Sequence, residues 1–383
     1  TPISLDEQKG ASKPGESAGP KNFLDIKIDT SFIAPNVKVK DVMMFCSNLS
    51  SMTGAGVPLL GAINTIADQV ENKYLADTLK KVSQLISQGN SFSEALGAFP
   101  KVFSSFFVNM VRVGEMSGNL DNTLKSLATY LEKQEHMRQT IRGIMIYPAV
   151  LMVVGTGVVI MIIMFLLPQF VGIFQKAHVT LPIPTRILYG LSLFLKAYWM
   201  WVIATLLAVT TALVVSFKNE KGKAMWDRLF IKIPIVGGLI KKILVARMCR
   251  TLGIMLSSGV PLLAALKMVR QVLGNIVFKE ILDEIYASAE KGEGLNKPLA
   301  ARIEVPKDVS YMISVGEQSG NIGSMLSKIA DFYETKVEFE IKDLVTLIEP
   351  AFIVILGIVV GIIMAAMILP LFDMVKTIEN VRK

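Results

Sequence analysis

The chain has 383 residues, of which 52% are hydrophobic and only 19% are charged, and its mean hydropathy is +0.50. It is too apolar for an ordinary soluble protein and too charged to lie in lipid throughout, so it divides into wet and oily parts. The formal charge of +8 collects mainly beside the apolar runs and accompanies no recognised nucleic-acid motif, which favours an anionic lipid surface over nucleic acid as its partner.

Residues 1–37 form a polar tail scattered with Lys, Gly, Pro and Ser, with no signal-peptide pattern; only 23–29 alternates as a short strand would. From 38 to 147 the apolar spacing is helical. Leu60, Ile63, Ala67 and Val70 make one stripe, and Leu75, Leu79, Val82 and Ile86 make the next. Ser91 with Glu94 has the form of a capping box opening a short helix. The segment reads as an all-α bundle of about 100 residues, enough to bury its own core.

Three uncharged runs exceed the roughly 18–20 residues that cross about 30 Å of hydrocarbon. They predict transmembrane helices at 148–172, 197–217 and 350–372. Pro168 and Pro370 near their far ends are expected to kink or stop these helices. The connection 173–196 is short of basic residues, whereas Lys218, Lys221, Lys223, Arg228 and Lys232 crowd the far side of the second span. The excess of Lys and Arg marks that side as cytoplasmic, which puts the N-terminus inside and the tail 373–383 outside. Residues 218–349 repeat the helical pattern, with Leu263, Leu266, Val269 and Leu273 followed by Ile281, Leu282 and Ile285. On the third span Gly357, Gly361 and Ala365 recur every fourth residue, a spacing that lets another helix approach closely.

The two halves say the same words in the same order. Gly56-Val57-Pro58-Leu59-Leu60 returns as Gly259-Val260-Pro261-Leu262-Leu263, and Val113-Gly114-Glu115-Met116-Ser117-Gly118-Asn119 returns as Val315-Gly316-Glu317-Gln318-Ser319-Gly320-Asn321. Each copy then reaches a proline, Pro148 or Pro350, that opens an apolar run. An internal repeat carrying its own span is a duplicated module built against a bilayer. Pro58 and Pro261 suit a first helical turn, with Gly56 and Gly259 at the reversal before it. Gly118 and Gly320 suit the end of one helix and Asn119 and Asn321 the cap of the next, so Glu115 and Glu317 stand at turns where a carboxylate accepts backbone N–H groups. That structural role outweighs a catalytic or cation-binding one.

Chemistry is otherwise sparse. His136 and His178 fall on opposite sides of the membrane in this topology, and no phosphate-binding loop of the G-x-x-x-x-G-K-[ST] form occurs. Cys46 and Cys249 occupy matching repeat positions and read as reduced core residues. No catalytic, cofactor or metal site is expected. The spans hold no ionisable residue, which counts against the runner-up reading, a parallel-repeat membrane transporter.

The doubled words, each leading to Tyr147-Pro148 or Glu349-Pro350 and to a span ending Leu-Pro-x-Phe, resemble the type II secretion system F-domain family over about residues 38–373. These are multi-pass inner-membrane platform proteins of type IV pilus and type II secretion machines in bacteria. The resemblance implies an all-α membrane protein with two homologous cytoplasmic bundles of six helices, three spans and no enzymatic activity. It also implies partners: a cytoplasmic hexameric assembly ATPase, pilin or pseudopilin transmembrane helices, other inner-membrane assembly proteins and further copies of the chain as a homo-oligomer, beside membrane lipid. The tail at 23–29 and the first bundle are the expected ATPase contact. One departure is visible, since Glu293-Gly294-Leu295-Asn296-Lys297-Pro298 replaces the capping-box word in the second copy.

Overall fold

The structure is a computed structural model that describes residues 37–176 and 181–381. The tail at 23–29 and His178 lie outside the described residues. Among the described residues there is no strand.

Six helices build the first repeat: α1 (Val39–Gly54), α2 (Leu59–Gln69), α3 (Lys73–Ser87), α4 (Phe92–Gly97), α5 (Ser105–Met116) and α6 (Leu120–Met161). A π-helical turn over Ile162–Leu166 joins α6 to α7 (Leu167–Lys176). Then come α8 (Ile183–Lys218) and α9 (Glu220–Lys232). The second repeat follows as α10 (Val236–Ser257), α11 (Leu262–Val272), α12 (Ile276–Glu290), α13 (Asn296–Ala301), α14 (Lys307–Gln318) and α15 (Ile322–Val381).

The stripes read from the sequence go inside for the most part, although Leu60 and Leu263, which open two of them, stay exposed. Leu75, Leu79 and Val82 of α3 and Ile281, Leu282 and Ile285 of α12 are all buried, each removal from water being worth roughly 1.5–3 kcal/mol. Around them Phe45, Phe92 and Phe103 fill the first repeat, and Phe278, Ile313 and Tyr333 fill the second. The two interiors belong to one continuous buried cluster. A second, smaller cluster, with Ile163, Leu167 and Val171 against Ile363 and Met367, joins the apolar ends of the long helices.

Three stretches, Leu120–Lys176, Ile183–Phe217 and Ile322–Pro370, are long and apolar enough to cross a membrane. Here two expectations give way. Pro148 does not open a helix; it lies inside the 42-residue α6, as Pro350 and Pro370 lie inside the 60-residue α15. A proline forfeits one backbone hydrogen bond and crowds the preceding turn, usually at about 3 kcal/mol or more inside a helix. Each proline borders an apolar run, and inside lipid a broken helix would leave its freed backbone groups unsatisfied, which favours a continuous helix. At Pro168 the geometry adjusts locally. The π-helical turn lies immediately before it, and Leu167 N–H reaches back to Ile162 O, a wide turn of the kind that absorbs a missing i→i−4 bond.

The connection expected over 173–196 is also largely helical, because α7 runs to Lys176 and α8 begins at Ile183. Pro184 suits a first turn. Only at Tyr198 (φ −116, ψ 16) does α8 leave helical geometry, and it kinks there. Arg186 and Lys196, which keep the segment out of the uncharged runs, lie exposed along it.

Candidate functional site

The repeated words form the corners of each bundle, and their backbone explains their composition. At the end of α5, Gly118 takes φ +66. There Gly118 N–H donates to Glu115 O at 3.3 Å and Asn119 N–H to Gly114 O at 2.9 Å. The second copy repeats both bonds at Gly320 (φ +69), at 3.2 and 3.0 Å. This paired pattern satisfies the last carbonyls of a helix and requires a left-handed residue, hence glycine. Gly56 and Gly259 close α1 and α10 in the same way, at φ +85 and +84. Pro58 and Pro261 sit just ahead of α2 and α11, at the N-cap position.

Glu115 and Glu317 reach across these corners. The Glu115 carboxylate accepts Phe92 N–H at 2.7 Å and Ser93 N–H at 3.1 Å, at the start of α4. Glu317 accepts the Leu295 N–H just before α13. A carboxylate on the unpaired amides of a helix start is favourable both as a hydrogen-bond acceptor and against the helix dipole. The first copy adds the capping box of Ser91 and Glu94, whereas Leu295 provides no side-chain cap. The glutamate is thus the shared anchor of a short helix whose own cap differs between copies. Gly114 and Gly316 permit a close crossing. A Cβ on Gly114 would lie 2.7 Å from Thr123 Cβ, and one on Gly316 would lie 2.9 Å from Met325 Cβ.

Asn119 does not cap α6 with its side chain. At φ −117, ψ 47 it is turned away from the first amides, and its Oδ1 accepts a bond from Asn122 Nδ2 at 2.6 Å. Asn321 stands just ahead of α15 and is exposed. Gly357, Gly361 and Ala365 are exposed as well, and beyond the backbone of its own helix no described atom lies within 4 Å of where a Cβ on either glycine would sit. The close approach between spans occurs instead at Gly155, whose absent Cβ would meet Phe352 Cε1 at 2.8 Å.

The long helices α6 and α15 run side by side and are tied at three levels. Lys133 Nζ bonds Asp331 at 3.3 Å, Tyr147 OH bonds Glu349 Oε1 at 2.8 Å, and Gly155 receives Phe352. Tyr147 and Glu349 precede Pro148 and Pro350, so they are counterparts in the repeat. At the wet end the tie leads into a buried hub. Arg250, 8% exposed, donates to Asp331 Oδ1 at 2.5 Å and to the two Glu334 oxygens at 2.9 and 2.7 Å. Burial alone would push the Asp331 carboxyl up, but Arg250 and then Lys133 outweigh it and hold the group below its ordinary value. Sequence reasoning missed this hub. Its signal is an Arg between Cys249 and Thr251, one turn after Arg247, where the first repeat has Ser47.

The two thiols are no nucleophiles. Burial pushes the Cys249 thiol up to about 12, against the smaller pull of Arg250, and pushes Cys46 higher still. Both are free and buried. Among the described residues no three His, Cys, Asp or Glu side chains stand together as a metal site.

Two copies of one helical bundle, each ending in a helix long enough to continue across a membrane, define a duplicated multi-span scaffold. The chain belongs to the family described as type II secretion system (T2SS), protein F, which it matches twice, over residues 45–168 and 248–370. It is 38% identical over 342 residues to the type IV pilus assembly protein PilC of Thermus thermophilus, covering 89% of this chain and 84% of the relative. The PilC of Pseudomonas aeruginosa is 36% identical over 339 residues, covering 88% and 91%. The type II secretion system protein F of Aeromonas hydrophila is 31% identical over 334 residues, covering 87% and 86%.

Proposed function

We propose that the chain is an inner-membrane platform that couples a cytoplasmic assembly ATPase to the insertion or extraction of pilin or pseudopilin subunits, in type IV pilus biogenesis or type II secretion. Its relatives carry the names of both machines. The observation that carries the coupling is helix continuity. α6 and α15 each begin in a bundle and continue without a break into an apolar stretch. A force or tilt applied to a bundle is therefore delivered to the membrane by a stiff rod rather than through a flexible linker.

On this reading the bundles face the cytoplasm, the N-terminus is inside, and the glycine, proline and glutamate words (Gly56, Pro58, Gly114, Glu115, Gly118 and their counterparts) keep each bundle stiff. The ATPase engages the first bundle and its tail, and pilin helices run against the membrane helices. The test is a pull-down of the cognate ATPase on the full-length chain in nanodiscs, with and without nucleotide, beside fibre and secretion assays in a deletion strain. Association with the ATPase, and fibres or secretion restored by the wild-type gene, would support the proposal. Failure to associate in any nucleotide state, while assembly still needs both proteins, would sink the direct coupling.

A further inference from the structure

The seam between the two repeats is used in one direction only. Tyr147-Pro148 corresponds to Glu349-Pro350 and Leu167-Pro168 to Leu369-Pro370 with no gap between, so every residue of the first seam has a counterpart on α15. On α6 the face is covered by the second repeat: Tyr130 and Met137 share a cavity with Arg247 and Val337, and Pro148, Gly155 and Ile163 are buried. Their counterparts on α15 are bare. Phe332 is 51% exposed and Phe339 61%, Pro350 and Ala365 are exposed, and Gly357 has open space before it.

The receiving face shows the same asymmetry in reverse. In the second repeat Phe352 packs on Gly155, Leu356 lies beside it, and Ile363 is 1% exposed. Their counterparts in the first repeat, Val150, Val154 and Met161, are 57%, 59% and 57% exposed. Met44 and its counterpart Arg247 are both exposed, so that pair marks the wet rim of the face and the asymmetry rests on the three pairs before it. A two-fold arrangement would have covered both members of each pair. The repeats are instead joined head to tail, which leaves one unused half of the seam at each end of the chain.

We propose that these two halves belong together: the bare face of α15 docks on the first repeat of a second copy of this chain, reproducing between chains the seam that joins the repeats within one. A heterologous contact of this kind propagates, and closes into a ring when the rotation permits. The membrane does not forbid it. Tyr147 meets its own counterpart Glu349, so passing from one repeat to the next involves little rise along the helices, and a copy placed by the same step lies in the same bilayer. The small residues Gly357, Gly361 and Ala365 then sit where Gly155, Val159 and Ile163 sit in the first seam. The mixed aromatic and small surface, unlike a purely lipid-facing one, continues into the wet part through Phe332 and Phe339, where lipid cannot cover it.

The seam within the chain supplies the contacts to test between chains. Gly155 on Phe352 translates to Gly357 on Val150 of the next copy, and Met137 beside Arg247 translates to Phe339 beside Met44. Two differently tagged full-length chains, both carrying Cys46→Ala and Cys249→Ala, are co-expressed, one with Gly357→Cys and the other with Val150→Cys, and oxidised in native membranes. A second pair uses Phe339→Cys with Met44→Cys, so that the wet end is read independently of the span. The expected result is a disulfide-linked dimer carrying both tags for each pair, a ladder of higher species when both cysteines share a chain, and no dimer when any one variant is expressed alone. Same-site dimers of Gly357→Cys or Phe339→Cys would mean a two-fold contact and overturn the proposal. So would capture of a different protein in place of the second copy, or no link in either pair while maleimide shows the thiols to be reactive. The readout is made without pilins or ATPase, so its failure is separable from failure of the platform reading.

Discussion

Replacing Arg250 by methionine keeps most of the side-chain volume and removes only the cation, so it isolates the hub. Three charge-assisted bonds at 2.5 to 2.9 Å are lost, which leaves Glu334 without its counter-ion beside an Asp331 that keeps only Lys133 at 3.3 Å. Breaking a fully buried pair costs about 3–5 kcal/mol. Here Glu334 retains 18% side-chain exposure and Asp331 55%, so water relieves part of that, leaving about 2–3 kcal/mol. The neighbouring Cys249 reports the result, because it is fully buried with its thiol pushed up to about 12 and reacts only when α10 parts from α15. In a Cys46→Ala background, Arg250→Met should speed Cys249 labelling in detergent roughly 30- to 140-fold, since each 1.4 kcal/mol is a factor of ten. Adding Glu334→Leu should recover most of the loss by removing the stranded carboxylate. Labelling within threefold of the parent would refute the hub as the tie that holds α10 on α15.

The hub should also be pH-dependent in a defined direction. The Asp331 value is held below 3.8 in the folded chain, so its contribution is complete above 3.8 and is lost as pH falls through the lower folded value. The stability difference between the parent and Asp331→Asn should therefore stay constant from neutral pH to 5 and shrink only below 3.8; shrinkage near pH 6 would point to another group. Gly118→Val places a β-branched residue at φ +66, at about 1–2 kcal/mol for the left-handed conformation, and should lower protein level and protease resistance. Normal level with lost function would make that corner a contact surface instead. For topology, single cysteines near 178 and 376 should react with an impermeant reagent from outside, and one at Lys232 should not; the opposite pattern would reverse the orientation.

Local patterns carried the bundles. The apolar spacing of Leu75, Leu79 and Val82 marks a buried face whatever surrounds it, and Gly118 and Gly320 mark left-handed corners that few other residues tolerate. The glutamates were legible only as acceptors of backbone N–H groups, since nothing nearby in sequence shows that Glu115 reaches back to Phe92. Proline opens no helix at 148 or 350 and stops none at 370, because next to lipid a broken helix would leave backbone groups unsatisfied. The helical character of 183–197 was hidden because Arg186 and Lys196 interrupt the uncharged run that marks a span, although each only faces outward. The Arg250 hub and the choice of Gly155 over Gly357 as the packed glycine depend on pairings between distant helices, which one sequence does not record.

Helix continuity is the claim on which the coupling rests, and it can be interrupted without touching either end. A Gly-Ser-Gly-Ser insertion after Arg142 places a flexible joint in α6 between the bundle and its apolar stretch. Surface fibres or secreted product would be measured in cells producing this variant at wild-type level, with membrane insertion and ATPase association checked on the same protein. Assembly should be lost while insertion and association persist. Assembly at the wild-type rate through the flexible joint would contradict the account.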